Sequence, residues 1–439
     1  MKPIFTKKVT CEEKEILVAN LLAYGIKSNF FSLLETTLKP EHFSGYELIA
    51  CIGIKKQFLL SNQKLADSTT FFNNYKDDWK LIQLNYNLFK HIYCNNYVEK
   101  PNDFNNHLLS ITIPETTFTI KDNCLSIFCE DHSYQDLLLF DKVKPKDPNP
   151  NGINQLNTYI HFNQYLQQFD KIQAHLKRGD IYEINYCIPF FIDTYELDVI
   201  DIYNKQKLTS PAPFAAFIKN DDNYLMCASP EQFIEKKGSV ITCHPMKGTI
   251  KKSSSPTENK NLIQQLYNSE KERAENVMIV DLTRNDLSKI AEKSSVNVTE
   301  LFGVYEFPQV FQMISTIEAQ LKQSATFADI LKALFPMGSM TGAPKQNAIK
   351  IIDEIESFSR DLFSGSIGYM EPNGDFNFNV VIRSILYNED KRKALVAAGG
   401  AITIHCNAED EYKECLLKAR ANLNVLGIDE TEIPLPTNG

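Results

Sequence analysis

The chain has 439 residues, of which 43% are hydrophobic and 23% charged, and its formal net charge is −9. Its length predicts about two or three domains, and its acidic balance argues against nucleic acid or an anionic membrane as a partner. The charged N-terminus lacks the apolar core of a signal peptide, and no apolar run reaches the length of a membrane span. The ten cysteines form no Cys-x-x-Cys pair, so we expect reduced thiols in the cytoplasm and no zinc site.

A stretch rich in charge, proline and asparagine at 141–152 divides the sequence. Residues 1–145 are predicted to form an N-terminal α+β region, in which short strands lie at Tyr46–Ile54, Thr117–Ile120 and Leu125–Phe128. Residues 153–428 are predicted to form a second, larger domain. Strands and helices mix without regular alternation, which favours an α+β fold: a large layered β-sheet core with flanking helices.

The larger region begins with helical spacing from Phe162 to Leu176, and this helix should end near Gly179. A single long helix is predicted from about Asn261 to Val277. Residues rich in Val, Ile and Phe predict strands around 363–371, 376–388 and 394–405. A last helix is predicted from about Ala408 to Leu426, ended by Gly427.

Lys247 lies in the apolar segment His244-Pro-Met-Lys-Gly-Thr249. Because burial penalises the charged ammonium, this lysine is predicted to be neutral near pH 7 and to act as a nucleophile. The neighbouring Gly248 and Thr249 offer backbone N–H groups and a hydroxyl that could hold a substrate carboxylate.

Glu231 lies sixteen residues before Lys247, and both flank strand-like segments. A hairpin would bring them into one cleft, where the carboxyl group could protonate a leaving hydroxyl. Spacing alone favours the alternative, a glutamate on a surface turn.

Two pairs of glutamates have helical i, i+3 spacing: Glu272 with Glu275, and Glu411 with Glu414. If the pairs face each other, they would form an oxygen-ligand site suited to Mg²⁺. The alternative is two solvated, charged helix faces.

Three further segments could contact a ligand. Gly338–Lys345 is a glycine-containing loop with Thr341 at its centre, and it lacks the spacing of a nucleotide P-loop. Ala398–Ala401 is predicted to be a turn of small residues that a ligand could approach closely. Arg383 lies in a buried-strand pattern and needs either a ligand carboxylate or a structural ion pair.

Taken together, these segments resemble the chorismate-binding domain shared by aminodeoxychorismate, anthranilate, isochorismate and salicylate synthases. The resemblance covers about 153–428 and is strongest to the branch that aminates chorismate, because anthranilate synthases usually have alanine in place of Lys247. The matching segments, in the family's order, are Ser229-Pro-Glu231, Pro245-Met-Lys-Gly-Thr249, Lys271-Glu-Arg-Ala-Glu275, Asp281–Leu287, Gly338–Lys345, Gly368-Tyr369, Ile382-Arg-Ser384, Gly399-Gly-Ala401, and Glu411-x-x-Glu414 with Lys418.

The resemblance implies an anthranilate synthase component I-like fold and a role for each matching residue. Glu275 and Glu414 would bind Mg²⁺ directly, and Glu272 and Glu411 through water. Substrate-binding residues would be Gly248, Thr249, Thr341, Tyr369, Arg383, Gly399, Gly400, Ala401 and Lys418. Of these, Tyr369 and Arg383 would hold the enolpyruvyl carboxylate.

The resemblance also implies a reaction. Glu231 would protonate the departing C4 hydroxyl while Lys247 adds at C2, and ammonia would then displace the lysine by adding at C4. The product would be 4-amino-4-deoxychorismate, formed without release of pyruvate, in para-aminobenzoate and folate biosynthesis.

The sequence departs from the family at three places. Glu183 stands where isochorismate and salicylate synthases have a water-activating lysine. Gln312 replaces a histidine that many relatives carry. The segment Phe31–Thr36 is similar to the tryptophan-binding segment of some members, but the first 140 residues otherwise match poorly.

The chain shows no Gly-x-Cys-x-Gly nucleophile motif, so ammonia is expected from a separate glutamine amidotransferase subunit or from solution. Two alternatives to chorismate amination stay open. One is an anthranilate synthase with an unusual lysine, and the other is a weakly catalytic member that binds chorismate or tryptophan.

Overall fold

The computed structural model describes residues 2–38, 45–60, 64–93, 100–104, 106–130, 154–429 and 433. Two large sheets form its framework, and every strand pairing in the described residues is antiparallel. Helices flank the sheets, so the predicted α+β class is confirmed. None of the helices in these ranges combines the length and apolarity that a membrane span requires.

Strands are numbered in chain order, and those of sheet A follow one another in space in a different order. From one edge of the sheet to the other they are β1 (Phe5–Lys8), β8 (Cys124–Phe128), β7 (Thr116–Lys121), β3 (Leu48–Ile52), β2 (Phe30–Glu35), β11 (Phe214–Asn220), β12 (Asn223–Ser229), β21 (Ser384–Asn388), β22 (Lys393–Thr403), β10 (Glu183–Asp193) and β18 (Gly342–Ala343), with β9 (Gln155–Tyr159) also paired to β10.

Sheet B has the strands β15 (Met246–Lys251), β17 (Val310–Gln320), β14 (Val240–Cys243), β13 (Gln232–Lys237), β20 (Phe376–Asn379), β19 (Ser366–Met370), β5 (Lys80–Leu84), β6 (Leu109–Ile113) and β4 (Lys56–Leu59), with β16 (Asn297–Glu306) on β17. The helices are α1 (Cys11–Gly25), α2 (Ser68–Asn74), α3 (Phe89–Tyr93), α4 (Phe162–Arg178), α5 (Val199–Thr209), α6 (Pro256–Asn268), α7 (Glu270–Ser288), α8 (Phe327–Leu334), α9 (Lys345–Ile355) and α10 (Ala408–Val425).

Sheet A is buried on both faces, as β3 illustrates. Leu48, Ala50 and Ile52 pack in a core shared with α1, α4, α9 and α10, whereas Ile49 and Cys51 pack in a second core shared with sheet B. Alternate side chains of a strand point to opposite faces, so this division produces a layer of helices, sheet A and then sheet B.

The predicted division at 145–153 falls outside the described residues and stays a prediction about sequence regions. Strands from both regions pair within both sheets: β2 pairs with β11 in sheet A, and β5 pairs with β19 in sheet B.

Two predicted elements were wrong in their extent. The helix predicted over 261–277 is two helices, because Ser269 adopts an extended conformation and its hydroxyl accepts a hydrogen bond from the Glu272 N–H. The strand predicted over 376–388 is interrupted at 380–383, where the chain passes from sheet B to sheet A. The helix ends predicted at Gly179 and Gly427 are confirmed, and both glycines have positive φ.

Candidate active site

The candidate site lies where the chain changes sheets twice. β12 of sheet A leads to β13 of sheet B through Pro230 and Glu231, and β20 leads back to β21 through 380–383. The two crossings are hydrogen-bonded, since the Val380 N–H donates to the Glu231 carbonyl (3.0 Å) and the Ala228 N–H donates to the Arg383 carbonyl (3.1 Å). Glu231 and Arg383 are therefore on adjacent segments.

Lys247 forms a buried ion pair that the sequence analysis did not predict. Its Nζ donates to Glu183 Oε1 at 2.8 Å, and the two side chains are 12% and 1% exposed. Glu183 is the first residue of β10, held between β18 and β22. The second oxygen of Glu183, Oε2, is buried and has no hydrogen-bond partner in the described residues.

The prediction that Lys247 is neutral was wrong for this state of the site. Burial by itself lowers the pKa of Lys247, but the carboxylates of Glu183, Glu275 and Glu231 together outweigh it, so the pKa lies above its ordinary value. The apolar residues beside Lys247 predicted the desolvation correctly, but they could not reveal carboxylates from three other segments.

Glu231 has the properties of a general acid. Its carboxyl group is buried, and burial raises its pKa to about 7. A hydrogen bond from Ser339 Oγ to Oε1 (2.6 Å) and the charges of Lys247 and Lys418 limit that rise. A carboxyl group with a pKa near neutrality is matched to proton transfer at neutral pH. The predicted approach of Glu231 to Lys247 is thus seen in the structure.

The four predicted metal-ligating glutamates lie on the N-terminal halves of α7 and α10. Burial raises the pKa values of Glu272, Glu275 and Glu411, and that of Glu275 reaches about 7. Mutual repulsion adds to this effect, with Glu414 acting on Glu272 and Glu411. The two helices therefore bring their carboxylates into one electrostatic cluster.

Cations of the protein already lie in this cluster. Lys418 Nζ donates to Glu414 Oε1 (2.6 Å) and to the Gly399 carbonyl (3.0 Å). Burial raises the pKa of Glu414, but this ion pair and the charges of Lys271 and Lys247 together outweigh burial and lower it. Lys271, on α7, interacts electrostatically with Glu275, Glu272 and Glu411, which raises its pKa despite burial.

These carboxylates fit a hard divalent cation in their chemistry, because four carboxyl groups from two helices supply the oxygen ligands that Mg²⁺ prefers. Within the described residues no three acidic, histidine or cysteine side chains converge closely enough to hold one ion. Metal binding thus requires the glutamate side chains to rotate. Glu272, Glu275 and Glu414 are partly or fully exposed to solvent, which allows rotation, whereas Glu411 is buried.

The predicted turn at Ala398–Ala401 is part of strand β22, paired with β10, so that prediction was wrong. Its small residues nevertheless leave room for neighbouring groups. A Cβ on Gly400 would lie 2.7 Å from Glu411 Oε2, and one on Gly248 would lie 3.0 Å from Glu272 Oε2. Both glycines therefore border the carboxylate cluster.

Arg383 has a positive φ of 51° on the crossing segment. Neighbouring protein atoms lower the pKa of its guanidinium, although solvent reaches the side chain. No described residue pairs with this guanidinium, which leaves it available to a ligand anion.

Tyr369 is not brought to this cluster. Its ring packs against Tyr46 and Trp79 at 5.5 and 6.2 Å between centroids, and it lines a separate cavity together with Glu35 and Asn377. Its position gives no support to the predicted role in holding a substrate carboxylate.

The two threonines that were predicted to bind substrate differ in their solvent exposure. Thr341 is fully buried, and its hydroxyl donates to the Met337 carbonyl at 3.0 Å. Thr249 is exposed, and its hydroxyl donates to Gln312 Oε1 at 2.7 Å. Gln312 therefore orients the Thr249 hydroxyl.

Comparison with known proteins identifies the family. The model of a protein family described as "chorismate binding enzyme" matches residues 41–424, which is most of the chain. The chain belongs to the chorismate-binding enzyme family. The match begins within the N-terminal region, so more of the chain belongs to the family pattern than the motifs indicated.

Several curated members of the chorismate-binding family are similar to this chain. Aminodeoxychorismate synthase of Arabidopsis thaliana is 40% identical over 60% of this chain and 29% of its own length. Aminodeoxychorismate synthase component 1 of Salmonella typhimurium is 39% identical over 60% of this chain and 57% of its own length, and that of Bacillus subtilis is 34% identical over 61% and 56%. The matched part spans little more than half of these bacterial relatives.

Solved structures show the same fold at low sequence identity. Anthranilate synthase component I from Streptococcus pneumoniae has a TM-score of 0.72 and 22% identity, covering 88% of this chain and 95% of that one. The menaquinone-specific isochorismate synthase of Escherichia coli has a TM-score of 0.73 and 14% identity, covering 97% and 95%. The anthranilate synthase-like fold of this chorismate-binding enzyme is therefore confirmed.

Proposed function

We propose that this chain aminates chorismate to 4-amino-4-deoxychorismate, retains the enolpyruvyl group, and so serves para-aminobenzoate and folate biosynthesis. The observation that carries the proposal is Lys247, a buried amine that interacts with the buried acid Glu231. The names of the similar relatives support the same activity.

In the first step, Lys247 Nζ forms a bond to ring carbon C2 as the C4–O bond breaks. The two conjugated π bonds of the ring shift along it, from C1=C2 to C1=C6 and from C5=C6 to C4=C5, and Glu231 gives its proton to the departing oxygen, which leaves as water. The Lys247 ammonium must first lose a proton, and Glu183 Oε1 is the acceptor in contact with it. Glu231 ends this step as a carboxylate near Lys418.

In the second step, ammonia forms the bond to C4 and the C2–Nζ bond breaks. This step releases the product and restores the free lysine. The incoming nitrogen gives up one proton, which Glu231 can accept, so the acid is ready for another turnover. Ammonia would come from a separate glutamine amidotransferase subunit.

Substrate binding would use the cationic and hydrogen-bond-donating groups of the site. The guanidinium of Arg383 would hold the carboxylate of the enolpyruvyl arm. Gly248, Thr249, the Gly399–Ala401 strand and Lys418 would surround the ring carboxylate. Bound Mg²⁺ would neutralise carboxylate charge beside the ring, with Glu275 and Glu414 as direct ligands and Glu272 and Glu411 acting through water.

Product analysis tests the proposal. Purified protein incubated with chorismate, Mg²⁺ and an ammonium salt should form 4-amino-4-deoxychorismate with no pyruvate. Glutamine in place of the ammonium salt should give no product, because the sequence shows no glutaminase motif. Anthranilate formed together with stoichiometric pyruvate would contradict the proposal and favour anthranilate synthase.

A further inference from the structure

Glu231 has two carboxyl oxygens in different environments, and Ser339 makes the difference. Ser339 Oγ donates to Oε1 at 2.6 Å, and the two residues are 108 positions apart in the chain. The short distance is that of a strong O–H···O hydrogen bond, which strengthens when the acceptor becomes a carboxylate. A small cavity of about 30 Å³ adjoins both residues.

The turn that carries Ser339 is itself fixed in place. Ser339 is the middle residue of a 3-10 turn, Gly338–Met340. The buried Arg360 donates from Nη1 to the Met340 carbonyl at 2.8 Å, and Thr341 Oγ1 donates back to the Met337 carbonyl. The hydroxyl of Ser339 is thus presented to Glu231 by a backbone anchored on both sides.

We propose that Ser339 is a positioning residue that fixes which oxygen of Glu231 carries the catalytic proton. Because Oε1 accepts the hydroxyl proton of Ser339, the acid proton resides on Oε2, and Oε2 delivers it to the departing hydroxyl. When that proton leaves, the negative charge that forms on Glu231 is stabilised by the same hydrogen bond. This inference deepens the proposed function and rests on it.

The charges around Glu231 set the direction of the pH effect. Lys247 on β15 and Lys418 on α10 act on it directly, while Asp286 and Lys345, which line the same cavity, are paired with each other. The Ser339 hydrogen bond favours the ionised form and so lowers the pKa of Glu231 relative to burial alone. Removing the hydroxyl should raise that pKa further above about 7.

The test measures chorismate consumption against pH for wild type, Ser339→Ala and Ser339→Thr. In Ser339→Ala, kcat should fall about tenfold, as expected for the loss of one charge-assisted hydrogen bond. The alkaline limb of the kcat profile should move to higher pH, and KM for chorismate should stay unchanged. Ser339→Thr keeps the hydroxyl and should recover most of kcat. If Ser339→Ala does not fold, Ser339→Cys, whose thiol is a weak donor, carries the same expectation.

The matched control is Thr283→Val. Thr283 lines the same cavity, but its hydroxyl donates to the Ile279 carbonyl, so the profile should not move. A wild-type kcat and an unmoved alkaline limb in Ser339→Ala would overturn the role of Ser339. Anthranilate as the product would overturn only the proposed function, whereas a wild type that consumes no chorismate would overturn both.

Discussion

Lys247 and Glu183 are joined by a buried hydrogen-bonded ion pair, with 2.8 Å between Nζ and Oε1. The pair ties the central amine of the site to the first residue of β10, and it sets the charge of that amine. A protonated lysine cannot act as a nucleophile, because its nitrogen has no free electron pair. The reactive form requires a proton transfer, for which Glu183 is the nearest base.

Glu183→Gln should lower the pKa of Lys247, because it removes the carboxylate that stabilises the ammonium while keeping a hydrogen-bond acceptor in place. The measurement is the rate of acylation of Lys247 against pH in metal-free protein, followed by peptide mass spectrometry. In Glu183→Gln the midpoint of the acylation-rate profile should move to lower pH. The control is Glu306→Gln. It removes the exposed carboxylate that pairs with a different lysine, Lys252. Identical Lys247 midpoints in wild type and Glu183→Gln would contradict the assigned role.

Glu275→Gln and Glu414→Gln should each raise the Mg²⁺ concentration needed for half-maximal activity by roughly tenfold or more. Each substitution removes a formal charge from the cluster without changing the size of the side chain. Glu270→Gln, on an exposed position of the same helix as Glu275, should behave as wild type. If both cluster variants keep the wild-type Mg²⁺ dependence, these glutamates do not bind the metal and are ordinary charged residues on a helix surface.

Gly400→Ala should displace the Glu411 carboxylate, since the added Cβ would lie 2.7 Å from Oε2. The clash involves the end of a flexible side chain, so the fold should survive while Mg²⁺ dependence weakens. Circular dichroism and Mg²⁺ titration of activity would separate these effects. The double variant Gly400→Ala/Glu411→Asp shortens the acid and should relieve part of the defect. An unchanged Mg²⁺ response in Gly400→Ala would show that Glu411 is not used.

Arg360→Met should destabilise the protein by about 3–5 kcal/mol, because it leaves the buried Glu356 without its counter-charge. The Arg360 guanidinium also donates to the carbonyls of Met340 and Asn185, joining the Ser339 turn to β10. Urea denaturation would measure the loss. Adding Glu356→Gln to Arg360→Met should restore part of the stability, and full stability in the single variant would refute this expectation.

Parts of the site could be predicted from sequence because they depend on local spacing. The i, i+3 glutamates and the hairpin that brings Glu231 toward Lys247 are of this kind. The partners of these residues could not be predicted, since Glu183 is 64 positions from Lys247 and comes from another sheet. Such contacts depend on strand order and register, which the sequence pattern alone does not determine.

The errors in the elements have a similar origin. Helical spacing continues through Ser269, yet its capping hydrogen bond to the Glu272 N–H divides the helix in two. The apolar run over 376–388 fits one strand, but it crosses between sheets at Arg383. The role of Tyr369 as a substrate ligand, which came from a motif, stays a prediction, and its ring packs beside Trp79.

The capture of a covalent intermediate tests the central claim most directly. Wild-type protein mixed with chorismate and Mg²⁺ in the absence of ammonia, then acid-quenched, should show an intact-mass increase equal to chorismate less one water. Peptide mapping should place it on Lys247, and Lys247→Ala and Lys247→Arg should show none, because alanine has no amine and arginine remains protonated. Full amination activity in Lys247→Arg, with no adduct in wild type, would contradict the account.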